Sequence, residues 1–249
     1  MTNQKSHRSH DAFFRWLFAD ENHSRALLKL CAKQNPESAE FLNFFDLNSL
    51  ERIPDSYSEV DETGEADLAF RVKNAKGLPG LIGMLLAHKS GSYKSVFAQI
   101  SRYADMVMEV QNDMGMELYT KDNPYGLLPT WAFVFYNGKG SWDPMKILRE
   151  RYSDYFLSSA LPCQCSFIDM KMISDEDCTG CDDVATAMGL TAMKYAFDRE
   201  KLLKALLQFK SRFQKLPPAE AKDLLKKISF YLKEFLDDKV IEELNGAFV

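Results

Sequence analysis

The chain has 249 residues with 46% hydrophobic and 27% charged content, the proportions of an ordinary globular protein; they exclude bulk disorder and suit one large domain or one domain with an appendage. No apolar run approaches the roughly 18–20 residues that span a bilayer, so no membrane segment is expected. The net charge of −5 argues against a uniformly basic nucleic-acid-coating protein, and five cysteines behind a polar MTNQKSHRSH start without an apolar leader set the expectation of reduced thiols in a cytoplasm.

In chain order, the first amphipathic pattern runs from His10 to about Lys33. Phe13, Phe14, Leu17, Phe18, Leu27, Leu28 and Leu30 recur at helical spacing, with a break foreseen at Asp20–His23. His10 and Asp11 read as the cap and first-turn acid of this helix, or as residues at the rim of a site. A mixed connector is expected to about Pro54. The pattern then becomes strand-like, and Ala66–Val72 alternates, with Leu68 and Phe70 on one face and Asp67, Ala69 and Arg71 on the other. Asn74–Gly77 signals a turn, and Leu81 to His88 fits a buried central strand. Ser95 to about Gln111 has helical period. Thr130–Tyr136 and Gln164–Met170 read as two further strands, the first closed by Asn137 and Gly138. After Ser174 come the helical patterns Ala185–Tyr195, Arg199–Phe213 and Pro218–Leu244. The order predicts an α/β fold: a mixed α/β core over residues 1–175 and a helical C-terminal region over 176–249.

Residues two apart on a strand share a face, so Glu65 lies with Asp67, and Ala87 lies with Lys89 opposite His88. Gln99 and Tyr103, four apart, share a helix face. If the two strands pair through the Asn74–Gly77 turn, these residues converge at one strand edge. Metal-dependent phosphodiester hydrolysis uses such a set. Hard oxygen ligands hold Mg²⁺, the ion acidifies the attacking water, and a lysine stabilises charge on the transition state. Asp67 is then the metal ligand, the His88 carbonyl a second donor, and Lys89 the electrostatic group. Each residue by itself reads more plainly as strand, helix or surface.

The segments HDAFFRWLF (10–18), EADLAFRV (65–72), LLAHKS (85–90), QISRY (99–103) and FVFYNGKGSW (133–142) resemble the Rpn family of recombination-promoting, transposase-like nucleases, part of the PD-(D/E)XK nuclease superfamily. The resemblance runs from about residue 9 to about residue 175. It implies a restriction-endonuclease-like fold, with a mixed central sheet flanked by helices, and metal-dependent cleavage of double-stranded DNA in DNA mobility or defence. It maps the first acidic ligand onto Asp67, the second onto position 87, the motif lysine onto Lys89, and the helix pair onto Gln99 and Tyr103. The departure is Ala87: where the family pattern has glutamate, this chain reads Leu86-Ala87-His88-Lys89-Ser90. An inactivating substitution and a natural degeneration both account for it, and Glu65 is the nearest carboxylate to stand in. The chain as written is therefore expected to be an inactive or weakened endonuclease, with a degenerate DNA- or protein-binding member as the alternative.

Lys89, Lys94 and Arg102 are the expected phosphate contacts. The stretch from Lys194 to Lys227, with ten Lys/Arg against four Asp/Glu, is a further candidate or simply a solvated helix face. Cys163, Cys165, Cys178 and Cys181 fit either a four-cysteine zinc site or small core residues, the second being the plainer reading. The Met-rich stretches read as core or groove filler. A homodimer is expected through the helical tail. Met188 and Met193 are conceivable internal starts for a short C-terminal product that binds and inhibits the full chain.

Overall fold

The structure is a computed structural model that describes residues 2–53, 67–87, 93–138, 140, 142–152 and 161–248. Among these the helices are α1 (Thr2–Phe18), α2 (Glu21–Gln34), α3 (Pro36–Phe44), α4 (Tyr93–Met114), α5 (Lys146–Arg151), α6 (Asp175–Thr179), α7 (Val184–Tyr195), α8 (Arg199–Leu207), α9 (Lys210–Phe213), α10 (Pro218–Leu232) and α11 (Asp238–Phe248). The strands are β1 (Asp46–Arg52), β2 (Asp67–Lys73), β3 (Pro79–Ala87), β4 (Thr130–Tyr136) and β5 (Gln164–Asp169). Contacts divide the chain into two compact units, Cys31–Asp169 and Met1–Leu30 with Met170–Val249. This division differs from a 1–175 and 176–249 split in placing the first helix with the C-terminal helices.

The unit Cys31–Asp169 is built on one sheet in the order β1-β2-β3-β4-β5. The first three strands are antiparallel neighbours and the last three parallel. The turn between β2 and β3 forms as its residues dictate. Gly77 takes φ +80°, and the Asn74 side chain accepts from the Lys76 and Leu78 amides at 2.9 Å each. From Leu81 to Leu86, and from Trp131 to Tyr136, every residue is buried, as central strands covered on both faces require. On one face Leu81, Leu85, Ala132 and Val134 pack against Val96, Ile100, Tyr103 and Val107 of α4. On the other, α3 brings Phe41 to Trp131, ring centroids 5.2 Å apart, and lays Phe45 over Gly80. The mixed sheet, its flanking helices and the C-terminal helices make this an α/β, restriction-endonuclease-like fold.

In the other unit, α1 buries Phe13, Phe14, Leu17 and Phe18. Phe13 stacks on Tyr231 at 4.4 Å, and Leu17 fills the space that the missing side chain of Gly189 leaves in α7. Asp20 separates α1 from α2 and accepts the Asn22 amide at 2.8 Å, the break foreseen there. His10 and Asp11 do not cap α1, because the helix begins eight residues earlier at Thr2. They are buried in mid-helix, and His10 Nδ1 is 2.7 Å from the Tyr231 hydroxyl. The tail is helical, but the Arg199–Phe213 and Pro218–Leu244 patterns are each divided, the second at Lys233–Asp237. No helix among the described residues is long and apolar enough to cross a membrane.

Candidate functional site

Strand register decides what meets at the sheet edge. β2 enters the sheet at Asp67, paired with Leu85; β3 ends two residues later at Ala87, paired with Tyr136. Tyr136 in turn pairs with Asp169 at the end of β5. Positions 67, 87, 136 and 169 therefore share one end of the sheet. It is the end where the parallel strands β3, β4 and β5 finish, and open α/β sheets bind ligands outside that end.

Of the helix pair on α4, Gln99 reaches this edge, while Tyr103 sits over the rung Gly83–Ala132–Cys165, four residues back from it. Gln99 is buried, and its Nε2 donates to the Leu86 carbonyl at 3.3 Å. That bond fixes the backbone one residue before Ala87. Tyr103, one turn further on, is buried with its ring flat on β3: a Cβ at Gly83 would come within 2.5 Å of its Cζ. Its hydroxyl is buried and meets no hydrogen-bond partner among the described residues. Burial holds its ionisation well above the ordinary tyrosine value, and Cys163 and Cys165 add to the effect. Gln99 and Tyr103 thus share one helix face, as their spacing requires, and that face is core rather than surface.

Tyr136 and Asp169 are edge residues that motif reading passed over. Burial raises the Tyr136 pKa and the Asp169 charge raises it further, while a hydrogen bond from the Gly140 amide opposes both. The Tyr136 ring stacks on Trp142 at 4.9 Å, and a side chain at Gly138 would collide with its hydroxyl. The available signal was a polar residue closing each of two apolar strand runs.

Of the other expected site residues, Arg102 is exposed on α4. Glu65, His88 and Lys89 lie outside the described residues, and for Asp67, Ala87 and Lys94 only the backbone is described. An alanine offers no side-chain donor, so positions 67 and 87 together supply a single carboxylate. Among the described residues no group of three or more His, Cys, Asp or Glu is placed to hold a metal. Cys163 and Cys165 belong to the sheet unit and Cys178 and Cys181 to the helical unit.

The positive surplus from Lys194 to Lys227 is partly engaged inside its own unit. Lys194 donates to the Ile173 carbonyl at 2.7 Å and pairs with Asp175. Arg212 donates to the carbonyls of Thr179, Cys181 and Asp182. Lys227 pairs with Asp223 at 2.8 Å and lies over the Trp16 ring. These three cations stabilise helix packing, which narrows the patch available to phosphates.

Comparison with protein families matches residues 8–223 to the family described as "Putative transposase, YhgA-like". No curated protein and no solved structure matches the chain. Because that match covers most of the chain, the chain belongs to the YhgA-like transposase family, the Rpn-type, PD-(D/E)XK-like family that its motifs resemble.

Proposed function

We propose that the chain carries the framework of a divalent-metal-dependent DNA endonuclease of the Rpn type, and that Ala87 leaves it inactive or strongly weakened. One observation supports this above the rest. The register sets Asp67 and Ala87 at the same end of paired strands, with Gln99 bonded to the residue before Ala87. A chain with glutamate at 87 would present two carboxylates there. Those carboxylates would hold Mg²⁺, which would offset negative charge on the phosphate and make a bound water more acidic. In this reading Asp67 and the His88 carbonyl are the remaining ligands. Lys89 orients charge at the phosphate, and Lys94 and Arg102 hold double-stranded DNA through its backbone. DNA mobility or defence, action as a homodimer and a cytoplasmic setting belong to the same proposal.

The test is Ala87→Glu in the full-length chain, assayed for nicking of supercoiled plasmid with Mg²⁺ or Mn²⁺. Ala87→Gln, which adds length without charge, serves as the control. Glutamate is expected to give metal-dependent nicking and glutamine none. A glutamate variant with unchanged circular dichroism that stays inert with both metals overturns the endonuclease reading.

Ala87 itself favours a second reading, a member that binds DNA or a protein without cutting. It requires salt-sensitive DNA binding by the unaltered chain, with a log–log slope set by the number of phosphates neutralised. A filter-binding series across salt concentrations measures it, and absent or salt-independent binding leaves only a protein partner.

A further inference from the structure

The five thiols fall into two classes by environment. Cys31, Cys178 and Cys181 are buried, and burial raises the pKa of all three, Cys178 to about 11. Cys163 and Cys165 are half-exposed on the wall of an open groove of about 1950 Å³, lined also by Phe41, Phe44, Met108 and Trp131. Their sulfurs lie 3.8 Å apart. Residues two apart entering a strand place both side chains on one face, which is how this spacing arises. A small solute in the groove can therefore reach two adjacent thiols, while the other three are shielded.

We propose that Cys163 and Cys165 are a redox modification site, closed to a disulfide by a low-molecular-weight disulfide such as glutathione disulfide. The Cys163 thiolate attacks one sulfur of the oxidant, breaks its S–S bond and releases the first glutathione. The Cys165 thiolate then attacks the Cys163 sulfur of the mixed disulfide and releases the second. Two protein thiols are oxidised, one glutathione disulfide is reduced to two glutathiones, and the two thiol protons end on the released thiols. The order follows from the Cys165 thiol, which donates to the Cys163 carbonyl at 3.3 Å and so keeps its proton, leaving Cys163 as the attacking sulfur; the bond between the two sulfurs lowers the Cys163 pKa in the same sense. Closing the bond brings the sulfurs from 3.8 Å to about 2.05 Å. A link across two residues of extended chain sits near the outer limit of disulfide geometry, so the product is readily reduced and the modification reversible. The same two cysteines pack against the apolar cluster that contains Tyr103, so closure alters packing on the face of α4 that carries the family residues.

The experiment incubates the full-length native chain with glutathione disulfide, then alkylates free thiols and maps peptides by mass spectrometry. The expected product is a peptide containing residues 163 and 165 that is two hydrogens lighter, with Cys31, Cys178 and Cys181 alkylated only after denaturation. Cys165→Ser is expected to accumulate a glutathione adduct on Cys163, and Cys163→Ser to react at Cys165 at least about tenfold more slowly. No 163–165 link in the unaltered chain, under oxidant that closes a free dithiol, overturns the proposal. Equal modification of all five cysteines, or no adduct in Cys165→Ser, does the same. The readout does not involve nuclease activity and stands or falls separately from it.

Discussion

Tyr103 joins packing and chemistry in one side chain. Its ring is clamped between α4 and Gly83 of β3, and the contact atoms are ring carbons of a buried residue that has nowhere to move. Gly83→Ala is therefore expected to destabilise the fold by about 1–3 kcal/mol, read as a lower urea midpoint; an unchanged midpoint would show that the ring can step aside. The hydroxyl behaves oppositely. It is buried without a hydrogen-bond partner among the described residues, and leaving a buried polar group unsatisfied costs about 1–3 kcal/mol. Tyr103→Phe should leave stability unchanged or raise it. A clear loss of stability would mean that the hydroxyl is satisfied in solution. A fold that tolerates phenylalanine has no structural need for the oxygen, and activity lost from the Ala87→Glu background on adding Tyr103→Phe would give it a functional one, exerted from the Gly83 rung rather than from the edge itself.

At the scale of elements, the contact between α2 and the start of α7 carries an ion pair beside the bond that Thr186 Oγ1 donates to the His23 carbonyl at 3.1 Å. Asp183 caps α7, accepting the Thr186 amide at 2.7 Å, and also lies 2.9 Å from His23 Nδ1. Burial opposes charge on both groups, yet their mutual bond wins: the His23 pKa is raised above 6.5 and that of Asp183 lowered below 3.8. The raised histidine contributes stability that is complete below its unfolded pKa and is lost as pH rises through the folded value. The depressed aspartate contributes stability present above its unfolded pKa and lost as pH falls through the folded one. Stability from this pair is thus greatest between the two unfolded pKa values, 3.8 and 6.5, and declines as pH rises above that window or falls below it. His23→Gln should flatten the alkaline decline, as seen by comparing urea midpoints at about pH 5.5 and about pH 8. Asp183→Ala should cost about 1 kcal/mol through the lost cap, with at most about 1 kcal/mol more from the pair because both side chains are partly solvated. The same local physics explains which elements could be read in advance. β3 and β4 are long apolar runs closed by turn residues, and their sequences announce them. β1 is an edge strand whose only buried residue is Leu50, set among Asp46, Glu51 and Arg52, so no alternation marks it and it reads as a connector. The break between α10 and α11 falls at Lys233–Asp237, where no proline or glycine signals it. Asp67, Gln99 and Tyr103 stood out because local spacing carries them. Tyr136 and Asp169 did not, because what brings them beside position 87 is the register of parallel strands far apart in sequence.

For the whole chain, the consequential fact is that the N-terminal helix and the C-terminal helices form one unit. α1 packs against α7 and α10, and Phe13, Phe14, Leu17 and Phe18 are all but inaccessible to solvent there. At about 1.5–3 kcal/mol for each buried side chain, these four contribute about 6–12 kcal/mol of transfer free energy, comparable with the roughly 5–15 kcal/mol that stabilises a whole domain. A short product starting at Met188 or Met193 would lack α1 and, with it, the Asp183 cap of α7. Such a fragment is expected to have partial helix and no cooperative thermal transition, and to gain one when mixed with a peptide spanning residues 2–34. Circular dichroism melts of residues 188–249, alone and with that peptide, decide it. A cooperative melt of the fragment alone would show that the tail needs no α1. If the fragment does need it, the α1 of a full-length chain is the surface it would compete for, and a short C-terminal product would act by displacing the tail from its own first helix.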